Sequence, residues 1–343
     1  MRRGRGGRHN FLSFLLWMLM LPLLGLLVLR MLPLSHAQGR AVPELTSFVI
    51  WTLPAFAFVL ALSLLWRRRN LAALSLAAAA LVVVWHLGYF LPTQTVSEAA
   101  VEATSPSDVD APVADDDYLR LMTFNTRNGR ADAAALVRAV RERRVEVLAL
   151  QEVSWTFLGE LGESGIHELL PHYVLGEASA TDNGGINAIF SLQPLSRTSS
   201  NLMPTESSAL AAGTVTLGER RLRFVSAHPN SPHLGGQGLW SEGLASVSEL
   251  AGYDNAYVIM GDFNATWDHV GFRKLLGDSF LDAGEAAGEG LHLSFPANSV
   301  IPPLIEIDHI VYSKGAGIAV GQLETLQIAG SDHLALLATL EAS

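Results

Sequence analysis

Val258-Ile259-Met260-Gly261-Asp262-Phe263-Asn264 is an apolar run of strand type that ends on a glycine, with a carboxylate and a carboxamide standing two positions apart behind it. Side chains alternate along extended backbone, so the pattern aims Asp262 and Asn264 to one side and returns Phe263 to the core. An acceptor and a donor side by side at a sheet end can orient a water and hold a developing anion. Gly, Asp and Asn are equally the usual turn formers, so the stretch on its own also fits a plain turn. The choice between the two depends on how the other strands end.

From Tyr118 onward the chain reads as short apolar strands separated by Gly, Pro and Asn turns. Strands are expected at Leu119–Asn125, Val145–Leu150, Gly185–Leu192, Gly213–Leu217, Arg221–Ala227, Ala256–Met260, Glu306–Tyr312 and His333–Leu340, and the spacing of Ala135, Leu136, Ala139 and Val140 predicts a helix within Ala131–Arg144. Many strands with few helices predict two packed sheets with helices outside, an α+β sandwich. Asn125, Gln151-Glu152, His228, Asp262 with Asn264, Asp308-His309 and Asp332-His333 all fall at a strand end or just beyond one. Each alone fits a turn, a capped end or a solvated charge. Together they predict one site on one rim of the sandwich.

Those residues resemble the motifs of the endonuclease/exonuclease/phosphatase superfamily. They stand here as Thr123-Phe124-Asn125, Leu150-Gln151-Glu152, Ala227-His228, Gly261-Asp262-Phe263-Asn264, Ile307-Asp308-His309-Ile310 and Ser331-Asp332-His333. The resemblance covers about Leu121 to Leu340 and implies a four-layer αββα (DNase I-like) sandwich that cleaves phosphate esters or anhydrides with a metal. It implies Glu152 as the main metal ligand with Asn125 beside it, and Asp332 supporting the site or the metal. An all-oxygen set of this kind favours Mg²⁺, with Mn²⁺ as the alternative. It further implies Asp262 orienting or deprotonating water, Asn264 steadying phosphoryl oxygens, His333 held by Asp308 against the phosphate, and His228 donating to a phosphate oxygen or the leaving group. Two positions depart from the pattern: Ala227 stands where Thr usually precedes the first histidine, and Leu192–Leu195 lacks an arginine that many relatives carry. No carboxylate is an evident partner for His228. His167, His172, His233, His269 and His292 match no motif and read as surface or structural.

The charge is divided unevenly. Of 23 basic and 33 acidic residues, 1–92 hold nine Arg and one Glu, leaving 14 basic and 32 acidic from 93 on, a balance of −18. A surface so acidic repels polyphosphate backbones and attracts cations. The absence of cysteine excludes disulfides, thiolate nucleophiles and Cys-ligated zinc. Three apolar stretches, about 11–30, 45–66 and 71–92, each match the ~20 residues of a membrane span. The basic flank before the first and Ser35-His36-Ala37 after it also fit a signal peptide. Arg2, Arg3, Arg5 and Arg8 precede the first stretch and Arg67–Arg69 separate the second from the third, which predicts a multi-pass membrane protein with the domain from 118 to 343 extracytoplasmic. Residues 93–117 carry seven carboxylates and no basic residue and are expected to form a flexible acidic linker of roughly 25–30 Å.

Two enzymatic readings and one binding reading follow. A nuclease needs Lys and Arg facing the backbone, and this chain has Lys274 and Lys314 as its only lysines. The anchor and linker favour a phosphorylated substrate at the lipid bilayer, and the layout resembles the VanJ-type teicoplanin-resistance proteins, implying action on lipid-linked (undecaprenyl-type) pyrophosphate. Nucleic acid and a phospholipase C-like diester remain the alternatives. The complete set of acids and histidines argues against an inactive binding module.

Overall fold

The computed structural model describes residues 5–105 except 38 and 40, and residues 116–342 except 179–182, 204, 206, 298 and 299. It divides into two compact units, Met1–Leu87 with Asp268–Val270, and Gly88–Trp267 with Gly271–Ser343.

The first unit is helical. Helices α1 (Arg5–Arg30), α2 (Thr52–Leu65) and α3 (Arg69–Trp85) meet along a seam that includes Met20, Phe56, Val59, Leu71 and Val82. Their other faces are also apolar, with Phe14, Leu65 and Val84 exposed, the pattern of helices surrounded by an apolar medium. Only Phe11–Arg30, 20 residues, is long and apolar enough by length and composition to cross a membrane among the described residues. α2 and α3, with 14 and 17 residues, extend about 21 and 26 Å at 1.5 Å per residue, short of the ~30 Å hydrocarbon core. The expected second and third spans were read from apolarity, which ignores where a helix stops. Pro43 opens a separate short helix at Val42–Thr46, and α3 gives way at His86 to a 3-10 turn, Leu87–Phe90.

The second unit holds two six-stranded sheets. The strands are β1 (Tyr118–Asn125), β2 (Val147–Val153), β3 (His172–Leu175), β4 (Ile186–Ser191), β5 (Ser196–Ser199), β6 (Ala211–Leu217), β7 (Arg220–Ala227), β8 (Ala256–Asp262), β9 (Phe280–Asp282), β10 (Asp308–Ser313), β11 (Ile318–Gln327) and β12 (Leu334–Ala342). The first sheet runs β11-β12-β1-β2-β4-β3 and the second β5-β6-β7-β8-β10-β9. Each has a parallel pair at its centre, β1 with β2 and β7 with β8, while the other pairings are antiparallel.

Period-two alternation explains the layering. Leu119 and Leu121, Val147 and Ala149, Leu222 and Phe224, and Val258 and Met260 point between the sheets into one apolar layer. Met122, Phe124, Leu148 and Leu150 point outward, beneath Leu136 and Val140 of α5 (Ala133–Glu142) and Phe157 and Leu161 of α6 (Trp155–Glu163). On the far side Val225, Ile259 and Val311 lie beneath Trp240 and Leu244 of α7 (Gln237–Ser248) and Phe272 and Leu275 of α8 (Val270–Leu276). The result is the expected two-sheet α+β sandwich with helices on both outer faces.

The stretch expected as a flexible linker is in part structured. Thr93 and Gln94 donate to the Ala286 carbonyl at 2.9 and 3.1 Å, and a short helix at Glu98–Thr104 is capped by Ser97, whose hydroxyl accepts from Ala100 at 3.1 Å. Ala100 is buried, and the Thr104 hydroxyl meets that of Thr339 at 2.7 Å. Composition judged this segment alone, whereas docking on β12 supplies the burial it lacks by itself. Residues 106–115 of the same expected linker lie outside the described residues.

Candidate active site

The rule that builds the core also builds the site. Continuing each inward-facing series by one or two steps brings Asn125, Gln151, His228, Asp262 and Asp308 to the same end of the sandwich, at the carboxyl ends of the two central parallel pairs and the start of antiparallel β10. Glu152 is the exception, because by alternation it would face the outer helices. The β2–β4 register shifts between Leu150 and Val153, and Glu152 takes the left-handed conformation with φ 55°. A bulge of this kind re-aims one side chain at a strand end. Gly184 leaves the room, since a Cβ there would lie 2.7 Å from Glu152 Oε2.

Asn125 sits between two acids. Its amide nitrogen donates to Glu152 Oε1 and to Asp262 Oδ2, each at 3.0 Å, and its Oδ1 accepts from the Arg127 N–H at 2.9 Å. Glu152 Oε2 also accepts from the Asn128 N–H at 2.8 Å. His228 Nε2 faces the same two carboxylates, 3.5 Å from Asp262 and 3.7 Å from Glu152. The histidine without an evident partner in the sequence thus lies beside two acids. Asn183, which the motifs did not reveal, brings its amide nitrogen to within 3.1 Å of the same Nε2. His228 Nδ1 is buried without a hydrogen bond among the described residues.

His333 closes the other side. Its Nδ1 donates to Asp308 Oδ2 at 2.8 Å, its Nε2 lies 3.6 Å from Asp262 Oδ2, and its ring packs 5.0 Å from that of Phe295. Ser331 fixes the approach by accepting from the His333 N–H at 3.0 Å and donating to the Asn125 carbonyl at 2.7 Å. Asp332 pairs with Arg127, whose Nε is 3.3 Å from its Oδ2, and its charge also acts on His333. The structure therefore gives Asp332 a guanidinium partner, where the resemblance implied support of the site or metal.

β8 ends at Asp262, so Asn264 is not the next inward residue of a strand. Asn264 has φ 50°, donates its N–H to Asp262 Oδ1 at 2.8 Å, and donates its side-chain amide to the Pro229 carbonyl at 3.1 Å. The stretch is a turn and a site at once, an Asx-type turn whose aspartate keeps its other oxygen for Asn125. Phe263 returns to the core as expected, edge-on to Phe272 at 5.5 Å.

The electrostatics separate the groups. Burial would raise the Asp262 carboxyl, but the charge of His333 and the contact with His228 hold it at about 2. Burial would lower His333, but Asp308 and Asp262 push it up to about 10. His228 is likewise raised, its burial outweighed by Asp262 and then Glu152. The arrangement is an ionised carboxylate between two histidines whose protonated forms it favours, able to orient a water on one side and donate to phosphoryl oxygens on the other. Among the described residues, donor atoms of Asp262, Asp308 and His333 lie within 4.8 Å of one another. Of these, Asp308 is engaged by His333 Nδ1, while His333 Nε2 stands 3.6 Å from Asp262 Oδ2, a charge contact longer than a hydrogen bond.

Glu152 fits a cation better. It is partly open to solvent, at 16% exposure, and its carboxylate converges with that of Asp262 on the single Asn125 amide. Oxygen donors of this kind suit a hard dication.

The family model for the Endonuclease/Exonuclease/phosphatase family matches residues 122–333, more than half of the chain. The chain belongs to the Endonuclease/Exonuclease/phosphatase family. Members of that family are hydrolases acting on phosphoester bonds. A search of curated proteins gave no match. Solved structures similar to this family member include a humanized D. rerio TDP2 with 14 mutations, at 16% identity and TM-score 0.52, covering 66% of this chain and 100% of that one. A truncated Caenorhabditis elegans TDP2 matches at 16% and 0.50, covering 66% and 98%. A family protein from Leptotrichia buccalis matches at 15% and 0.50, covering 65% and 99%. At such identities the likeness speaks for the fold.

Proposed function

We propose that this protein is a divalent-metal-dependent hydrolase that removes phosphate from a lipid-linked pyrophosphate, working outside the cytoplasmic membrane as part of a multi-pass protein. The observation that carries the hydrolase reading is the convergence of Glu152, Asp262 and His228 with the Asn125 amide, and His333 across Asp262. Glu152 with Asn125 would hold a divalent cation, which when bound would supply charge neutralisation at the phosphoryl group. Asp262, with so low a pKa, acts as an orienting acceptor for the attacking water rather than as a strong base. His333 donates from Nε2 to a phosphoryl oxygen while Asp308 fixes its ring, and His228 donates to the leaving oxygen.

The substrate class rests on charge and tether. Fourteen basic against 32 acidic residues from 93 on disfavour a polyphosphate backbone, and the apolar α1 helix favours substrates concentrated in a bilayer. The nucleic-acid reading has one observation behind it, the fold shared with D. rerio TDP2, solved with a single-strand DNA product.

The test compares full-length protein in liposomes on polyprenyl pyrophosphate and on plasmid at equal phosphate concentration. Faster phosphate release from the lipid is expected; faster nicking of plasmid, improving at low salt and constant Mg²⁺, replaces this reading with the nuclease one. For orientation, an exported-phosphatase reporter fused after residue 92 should be active, and an active cytoplasmic fluorophore there instead would reverse the topology.

A further inference from the structure

We propose that His309 is a positioning residue for this hydrolysis, holding from behind the segment that carries Asp262 and Asn264. The inference rests on the hydrolase reading above and adds a residue to it. Along β10 the side chains alternate, so Asp308 faces the site while His309 faces the layer covered by α8. There its ring is fully buried and tilts against Phe272 at 4.3 Å.

Both ring nitrogens face oxygen acceptors. Nδ1 is 2.7 Å from Asp282 Oδ2, and Nε2 is 2.9 Å from the carbonyl of Ala265. The other oxygen of Asp282 accepts from the Gly284 N–H at 2.8 Å. A carbonyl oxygen donates nothing and an ionised carboxylate only accepts, so both contacts are satisfied together when each nitrogen carries a hydrogen. His309 is then an imidazolium with a donor at each end, one anchored on Asp282 and one gripping Ala265. The charge balance agrees: burial opposes protonation, and Asp282 outweighs it, placing the group at about 9.

The gripped carbonyl lies where tethering matters. Asn264, next to it, has φ 50°, a conformation that persists in a non-glycine residue only when its surroundings over-determine it. Other bonds hold the segment too: Phe263 N–H to the Ile307 carbonyl at 2.9 Å, Trp240 Nε1 to the Phe263 carbonyl at 3.3 Å and the Asn264 side-chain amide to the Pro229 carbonyl at 3.1 Å. None of these acts beyond Asn264, on the Ala265 side of the strained residue. His309 does, and it is joined covalently to Asp308, which orients His333. One residue thereby fixes the spacing of Asp262 and His333 by acting on both supports.

The experiment has two readouts on full-length protein in detergent micelles with Mg²⁺. Nitrogen-15 correlation spectra of the histidine rings at pH 7.5 should show His309 protonated at both nitrogens; a single-proton tautomer overturns the proposal. With bis(p-nitrophenyl) phosphate as probe, His309→Phe should lower kcat by about 10–100-fold, the cost of a displacement near 1 Å, with KM within about twofold. Asp282→Asn, which keeps the ring, should lower kcat by about tenfold. An unchanged kcat in either variant overturns the role of His309. No turnover of this diester by the unmodified protein, together with no phosphate release from polyprenyl pyrophosphate, overturns the hydrolase reading itself.

Discussion

The two sheets build the site with different tools. The first contributes Asn125 from the end of β1 and Glu152 through a bulge: β2 breaks register with β4, Glu152 adopts a left-handed conformation, and its carboxylate stays partly open to water. The second contributes Asp262 from the end of a regular strand, almost wholly buried between His228 and His333. An open carboxylate keeps lone pairs available for a cation, whereas a buried one between two histidines holds its charge fixed. The difference teaches that, on the proposed function, one half of the site is suited to hold a cation and the other to keep a fixed charge beside it.

This division has consequences that can break it. The largest effect is expected for Asp262→Asn, which should reduce kcat by about 10³-fold while leaving Mg²⁺ binding intact, because the water loses its acceptor. Loss of Mg²⁺ binding in that variant, read by calorimetry, would merge the two halves. Glu152→Gln should do the reverse, abolishing the Mg²⁺-induced rise in melting temperature and lowering activity by about 10²–10³-fold. Activity that survived both this change and excess chelator would end the metal reading.

The smallest effect is a matter of stability at the opposite end of the first sheet. Glu146, just before β2, is buried with its Oε2 accepting from the Arg120 N–H at 3.0 Å, and burial raises its carboxyl to about 8. Below the unfolded value of 4.5 both states are protonated. Between 4.5 and 8 the folded state keeps a proton that the unfolded state has lost, so stability falls as pH rises through that window and levels off above it. Glu146→Gln should flatten this decline, by on the order of a few kcal/mol at pH 8, with kcat unchanged. Thermal melts at pH 5 and pH 8 that keep the same spacing in the variant would exclude Glu146 as the cause.

Legibility in the sequence followed the same geography. The central strands were readable because both of their faces are buried and their apolar runs are clean. The four strands that were missed, β3, β5, β9 and β11, are the four sheet edges. An edge has one neighbour and an exposed flank, so residues such as Ser196–Ser199 need carry no apolar pattern. At the site, residue types and strand ends were legible, but the bulge that re-aims Glu152 was not, since it depends on pairing with β4. Asn183 was hidden for a similar reason: it lies in no strand, and only the Asn-Gly-Gly run at 183–185 hinted at unusual backbone. Of the three apolar stretches only the first forms a single helix of spanning length among the described residues, because apolarity does not mark where a helix stops.

Directly beneath the site, the apolar layer between the sheets gives way to polar contacts. Thr123 Oγ1 donates to Gln151 Oε1 at 3.3 Å, Gln151 Nε2 donates to Ser226 Oγ at 3.0 Å, and Ser226 donates to the Leu150 carbonyl at 2.9 Å. Hydrophobic contact is non-directional, so two greasy sheets resist separation far better than they resist sliding. A site shared between them tolerates only about 0.5 Å of slip. The bonds joining β2 to β7 act as a detent, a mechanical stop that lets the sheets mate at one offset and no other. The alignment of Glu152 from one sheet with Asp262 and His228 from the other is thus set one layer below the chemistry, by an amide and two hydroxyls.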